Sequence, residues 1–109
     1  MINLLQETMH ALDIHGKTTD DVLWVGIKKL SWPWEDFAKI ADFEYDNRYG
    51  GREINEFLVI GGDNWWLVRE ENGGSEVWVF EESYERSNDA GIPLTIELIV
   101  KNPKLLGAL

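Results

Sequence analysis

His10 and His15 are the chain's two histidines, five positions apart near the end of a segment that reads as a helix. A zinc-binding helix places its histidines four apart on one face, and a spacing of five does not. Catalysis by carboxylates needs a facing pair. Glu70-Glu71 and Glu81-Glu82 are adjacent on predicted strands, so the members of each pair point to opposite sides. Gly-Gly occurs at 50–51, 61–62 and 73–74, in each case without the strand-to-helix setting and lysine of a phosphate-binding loop. Those pairs read as turns. With no cysteine, thiolate chemistry, disulfides and Cys-based zinc sites are excluded. The residues point to no enzyme, no cofactor and no metal.

What remains is a surface that binds. The chain has six Trp in 109 residues and a net charge of −10. Residues 42–97 hold 14 Asp and Glu against four Arg and no Lys, so the whole excess charge lies there. Direct binding to nucleic acid is disfavoured, because the phosphate term needs clustered Lys and Arg. The natural complement is a basic protein surface. Trp, Tyr and Arg dominate interface hot spots, and here Tyr45, Tyr49 and one of Trp65 and Trp66 stand among carboxylates. The expected contact set is Tyr45, Asp46, Tyr49, Glu53, Trp66, Glu70, Glu71, Glu81 and Glu82. Two plainer readings stand beside it: the tryptophans fill a core short of other large residues, and the acidity serves solubility.

The elements that position these residues follow from periodicity. Residues 2–14 read as a helix with Ile2, Leu5, Met9 and Leu12 on one stripe, stopped at Gly16. "VLWVGI" (22–27) is a strand. Ser31 is expected to cap a second helix over 32–42, with Pro33 in its first turn and a face of Trp34, Phe37, Ala38 and Ala41. Residues 42–56 read as a long loop, ending in a helical turn at 53–56. Strands at 57–61, 65–71 and 75–81 form a meander. A turn at Gly62-Asp63 would set Ile60 opposite Trp65. A turn at Asn72-Gly73, favoured over one at Gly73-Gly74 because the latter sets Glu71 against Glu76, would place Arg69 opposite Glu76. One sheet face then carries Leu58, Ile60, Trp65, Leu67, Trp78 and Phe80. The other carries Phe57, Val59, Trp66, Val68, Val77 and Val79, and both faces need a cover. The aromatic face is expected under the helix at 32–42. The Val-rich face is expected under the N-terminal helix or another chain. "PLTIELIV" (94–100) reads as a fifth strand with Leu94, Ile96, Leu98 and Val100 inward, the polar stretch 81–92 as a connection, and 101–109 as a tail.

The expectation is a single α+β domain over residues 1–109, with a mainly antiparallel sheet of about five strands and two helices. No apolar run approaches the ~20 residues that span a bilayer, and the N-terminus lacks a basic flank before an apolar core, so no membrane partner or secretory signal is read and a cytoplasmic protein is expected.

The segments "DVLWVG" (21–26), "WEDFAKIADFEYDNRYGGREI" (34–54), "LVIGGDNWWLVR" (58–69) and "GSEVWVFE" (74–81) resemble a group of small proteins encoded by bacteriophages and prophages. The shared features fall on Val25-Gly26, Trp34 and Phe37, Tyr49 through Ile54, Trp65 through Arg69, and Ser75 through Phe80. The resemblance spans about 60 residues and implies phage origin while carrying over no catalytic residue. Small acidic phage proteins are often inhibitors of host defence, and anti-CRISPR and anti-restriction proteins mask basic nucleic-acid channels with carboxylates. That implies an anti-CRISPR-like inhibitor acting in the cytoplasm of the host bacterial cell. Two alternatives stay open: an immunity protein against a basic nuclease toxin, and a phage structural or assembly protein that forms a homodimer through the Val-rich face.

Overall fold

The computed structural model describes residues 1–48, 51–82, 88–89 and 91–101. The chain begins with a two-residue strand β1 (Ile2–Asn3) and helix α1 (Leu4–Ile14), whose N-terminus is capped by the Asn3 side chain accepting from the Gln6 N–H at 3.0 Å. A 3-10 turn over Thr19–Asp21 leads into β2 (Trp24–Ile27) and β3 (Leu30–Trp32). Helix α2 (Trp34–Ile40) and strand β4 (Glu44–Tyr45) follow. The meander β5 (Leu58–Gly61), β6 (Trp65–Asn72) and β7 (Ser75–Glu82) precedes β8 (Asn88–Asp89) and a short helix α3 (Ile96–Ile99).

The fold is α+β. Five strands form an antiparallel sheet in the order β3-β2-β5-β6-β7, β8 lies parallel beside β3, and β1 pairs with β4 in a second small sheet. The fifth strand is therefore "LSW" at 30–32, where Ser31 is buried in the ladder and does not cap α2. Pro33 takes the position before that helix. The segment 94–100 turns through α3, burying Leu94, Ile99 and Val100. Among the described residues of 42–56 the chain forms β4 and isolated bridges from Arg48 to Ser75 and from Ile54 to Val100. The hydrogen-bonded turn falls at 55–58, where the Leu58 N–H donates to the Asn55 carbonyl at 3.1 Å, not at 53–56. Tyr49, most of 81–92 beyond Glu82, and 102–109 lie outside the described residues.

Both hairpin registers differ from expectation by two residues. Ile60 faces Leu67, and Arg69 faces Trp78. In the first hairpin the turn is Asp63-Asn64, with Asn64 in the left-handed region (φ 64) and the Gly62 N–H donating to the Trp65 carbonyl at 2.9 Å. The glycines at 61 and 62 serve a different end. A Cβ on Gly61 would overlap the Trp24 indole, and one on Gly62 would overlap the Trp65 indole, so each glycine clears a seat for a tryptophan. In the second hairpin Gly73 (φ 61) and Gly74 (φ 85) form the turn, which needs positive φ at both positions. Glu71 does face Glu76, but only Glu71 is in water. The Glu76 carboxylate turns inward to Arg69, a diagonal neighbour at 3.8 Å, and to two backbone N–H groups.

A shift of two residues leaves every side chain on its original face. Trp65 is buried and joins the main core cluster with Val25, Ile27, Leu58, Ile60 and Leu67, while Trp66 is half-buried on the reverse side. The helix at 32–42 does pack on the aromatic face, as expected, but α1 joins it there instead of covering the Val-rich face. Helix α1 lies on the aromatic face: Trp78 Nε1 donates to Thr8 Oγ1 at 3.0 Å, and His15 stacks on Phe80 with centroids 4.4 Å apart. Helix α2 packs beside β2 and brings Phe37 and Ala41 into the same cluster. The buried stripe of α1 is Leu4, Thr8, Ala11 and Leu12, because Thr8 supplies the hydroxyl that satisfies Trp78; Met9 stays exposed. No helix among the described residues is long and apolar enough to cross a membrane.

Candidate functional site

Two features are candidates, one a buried polar network and one the reverse face of the sheet. The network joins four elements. Arg69 on β6 has a side chain with no solvent exposure, and its guanidinium donates to Glu7 of α1 at 3.2 Å and to the Tyr45 hydroxyl of β4 at 2.7 Å. The Tyr45 O–H donates in turn to Glu7 at 2.5 Å. The guanidinium also lies over the Trp78 ring at 4.6 Å. Glu76 of β7 accepts the Glu53 N–H at 2.8 Å and the Ile54 N–H at 3.1 Å, which offsets its charge alongside Arg69. One cation is thus held between two carboxylates, one of them neutralised by backbone dipoles. Such a network fixes how elements meet and gives a substrate no access.

This moves Tyr45 and Glu53 out of the expected contact set. Tyr45 is fully buried, and Glu53 is half-buried with its carboxylate accepting the Asp46 N–H at 2.9 Å. Asp46 is exposed but accepts the Arg48 N–H at 3.0 Å, so it shapes the loop. Burial pushes the Tyr45 phenol well above its ordinary value; the Arg69 charge opposes that and Glu7 reinforces it. The sign for stability follows. Above pH ~10 the unfolded phenol ionises while the folded one keeps its proton, so stability is full below that pH and falls as pH rises further. Urea unfolding between pH 9 and 11 is expected to show this decline, and Tyr45→Phe is expected to flatten it.

The second candidate is the reverse face of the sheet. Three cross-strand rows make it up: Gly61-Trp66-Glu81, then Val59-Val68-Val79, then Glu70-Val77. Val59, Trp66, Val68, Val77 and Val79 are all half-buried, and none packs against the main core cluster. Trp24 extends this layer. It is the one buried hydrophobic residue of the described chain outside that cluster, and it lies flat across Gly26 and Gly61. Glu81 and Glu70 are exposed and bound the band, about 13 Å apart along the strand direction by four residues of rise and one strand apart across it. Glu71 and Glu82 have the opposite parity and sit at the rim of the α1 side.

Of the expected contacts, then, the structure brings together Trp66, Glu70 and Glu81 on one face and puts Glu71 and Glu82 on the other. Sequence reasoning identified the Val-rich face but left Val59, Val68, Val77 and Val79 out of the contact set; their unbroken alternation opposite a second apolar face was the available signal. The expected hairpin register sets Glu76 beside Arg69, its partner in the structure, whereas nothing local marks Glu7, whose partners Tyr45 and Arg69 are 38 and 62 positions away. Among the described residues no group of three or more His, Asp or Glu is placed to hold a metal ion. Comparison with protein-family models, curated proteins and solved structures finds no match.

Proposed function

We propose that this chain is an acidic binding protein that sets the Val-rich sheet face against a basic protein surface, and that the partner is a nucleic-acid-handling defence effector of the CRISPR type. The observation that carries the reading is the two-sided sheet. One face is closed by helices and locked by Arg69, while the other presents Trp66 and four valines between Glu70 and Glu81 with no helix packed over it among the described residues. An apolar centre with a charged rim is the usual anatomy of a protein interface. The rim's sign selects a basic partner and speeds encounter with it. The phage resemblance supplies the context: a carboxylate-bearing surface competes with phosphate for a cationic channel. The protein acts by occupancy and performs no reaction.

Nuclease assays with purified CRISPR effectors test this directly. The chain is expected to inhibit cleavage stoichiometrically. Reversing both rim charges (Glu70→Lys with Glu81→Lys) is expected to weaken inhibition about tenfold or more, mainly through slower association and more so at low salt. Equal inhibition by the parent and the reversed variant would end the charge-complementarity reading.

A further inference from the structure

We infer that the outer edge of β7 is a second contact, resting on the binding role proposed above: it takes up an extended basic segment of the partner as an added strand. In the β6–β7 ladder the hairpin closes at the Asn72/Ser75 pair, so residues 75, 77, 79 and 81 of β7 bond to β6, and residues 76, 78, 80 and 82 turn their N–H and C=O groups outward. The structure confirms this phase at the first of them. The outward Glu76 N–H donates to the Asn47 carbonyl at 2.8 Å, and its carbonyl accepts from the Asn47 side chain at 3.5 Å.

Asn47 thus covers the start of the edge and nothing described covers the rest. Among the described residues no backbone group pairs with the outward N–H and C=O of Trp78, Phe80 or Glu82, and β8, the next strand of the chain, lies at the opposite side of the sheet. Apart from the inward-turned Glu76 at its start, no Pro, Lys or bulge interrupts this edge, although those are among the devices that ordinarily protect one. An added strand of about five residues would fit the open length.

Its side chains are constrained by the pleat. On the Val-rich face the added strand would meet Val79 and Glu81 at alternate positions, and on the α1 side it would end against Glu82. The matching segment therefore carries Arg or Lys opposite Glu81 and Glu82 and an apolar residue opposite Val79. A second copy of this chain is the poorer occupant, because it would add another net charge of −10 and its own Glu81 and Glu82 to the same edge.

The probe is a short synthetic peptide of alternating arginine and valine, titrated into the isotope-labelled chain with amide exchange read residue by residue. Exchange at Trp78, Phe80 and Glu82 is expected to slow about tenfold or more on saturation. Glu82→Pro removes one outward donor and no bond to β6, so it is expected to bind about tenfold more weakly than Glu82→Gln, which removes only the charge. Absence of binding, binding without slowing at those three amides, or equal affinities of the folded Pro and Gln variants would each overturn the inference. So would slowing at the same amides without peptide accompanied by a dimeric mass, since the edge would then belong to a second copy. The amide readout in the parent chain decides the matter even if the Pro variant fails to fold. A missing edge response together with relief of inhibition by the Glu70/Glu81 reversal removes the edge alone; the converse pattern removes the effector reading and leaves the edge as a peptide site.

Discussion

Arg69→Met is expected to lower the stability of the fold by about 3–5 kcal/mol, because it strips the only cation from a buried cluster and leaves carboxylates behind. Arg69 is what α1, β4, β6 and β7 share: it reaches Glu7, Tyr45 and Glu76, and its flat face rests on Trp78. Methionine keeps the apolar stem but makes none of these bonds. Glu7, whose side chain keeps 12 % exposure, regains some hydration when α1 loosens, whereas Glu76 keeps only its two backbone donors. Adding Glu7→Leu, Tyr45→Phe and Glu76→Gln to Arg69→Met is expected to recover much of the loss, since an uncharged cluster of similar volume often replaces a buried ion pair without cost. Urea midpoints at constant slope measure both effects. A loss below about 1 kcal/mol for Arg69→Met would mean the guanidinium does not join these elements.

Trp66→Ala is expected to weaken partner binding at least about thirtyfold, the loss of an aromatic hot spot of 2 kcal/mol or more. Trp66 is half-buried, stands outside the main core cluster and is the largest side chain among the half-exposed residues of the Val-rich face. Its neighbours in the row are Gly61, which carries the Trp24 indole, and the rim carboxylate Glu81. The same substitution is expected to cost the free protein less stability than Arg69→Met does, so binding and folding separate. Titration calorimetry with an inhibited effector and urea unfolding of the free chain together show this. A variant that binds as tightly as the parent would move the interface away from this face.

How far the sequence disclosed the molecule depends on the range of the interactions involved. Period-two alternation across 57–81 is enough to put Trp65 and Trp66 on opposite faces and to show that both faces are apolar, because face membership depends only on parity, but not to tell which indole is the more exposed. It does not set the register either, because a Gly-Gly pair reads as a turn, whereas Gly61 and Gly62 clear room for the Trp24 and Trp65 indoles. The three-residue strand at 30–32 is too short for periodicity to show, and 94–100 alternates as a strand does yet turns through α3. The α1 stripe was rotated because threonine does not read as core, and the reason Thr8 is core lies 70 residues away at Trp78. Tyr45 was the clearest misplacement. Set among acids it resembled an interface anchor, but its hydroxyl partners are 38 and 24 positions distant, at Glu7 and Arg69.

Side-chain footprinting of the chain, alone and saturated with an inhibited effector, is the measurement that bears most directly on a sheet with one sealed and one presented face. Protection is expected at Val59, Trp66, Val68 and Val79, with Met9 and Ile14 on the exposed side of α1 left as reactive as before. Protection of Met9 and Ile14 with the valines and Trp66 unchanged would place the partner on the helices and contradict the assignment of the binding face.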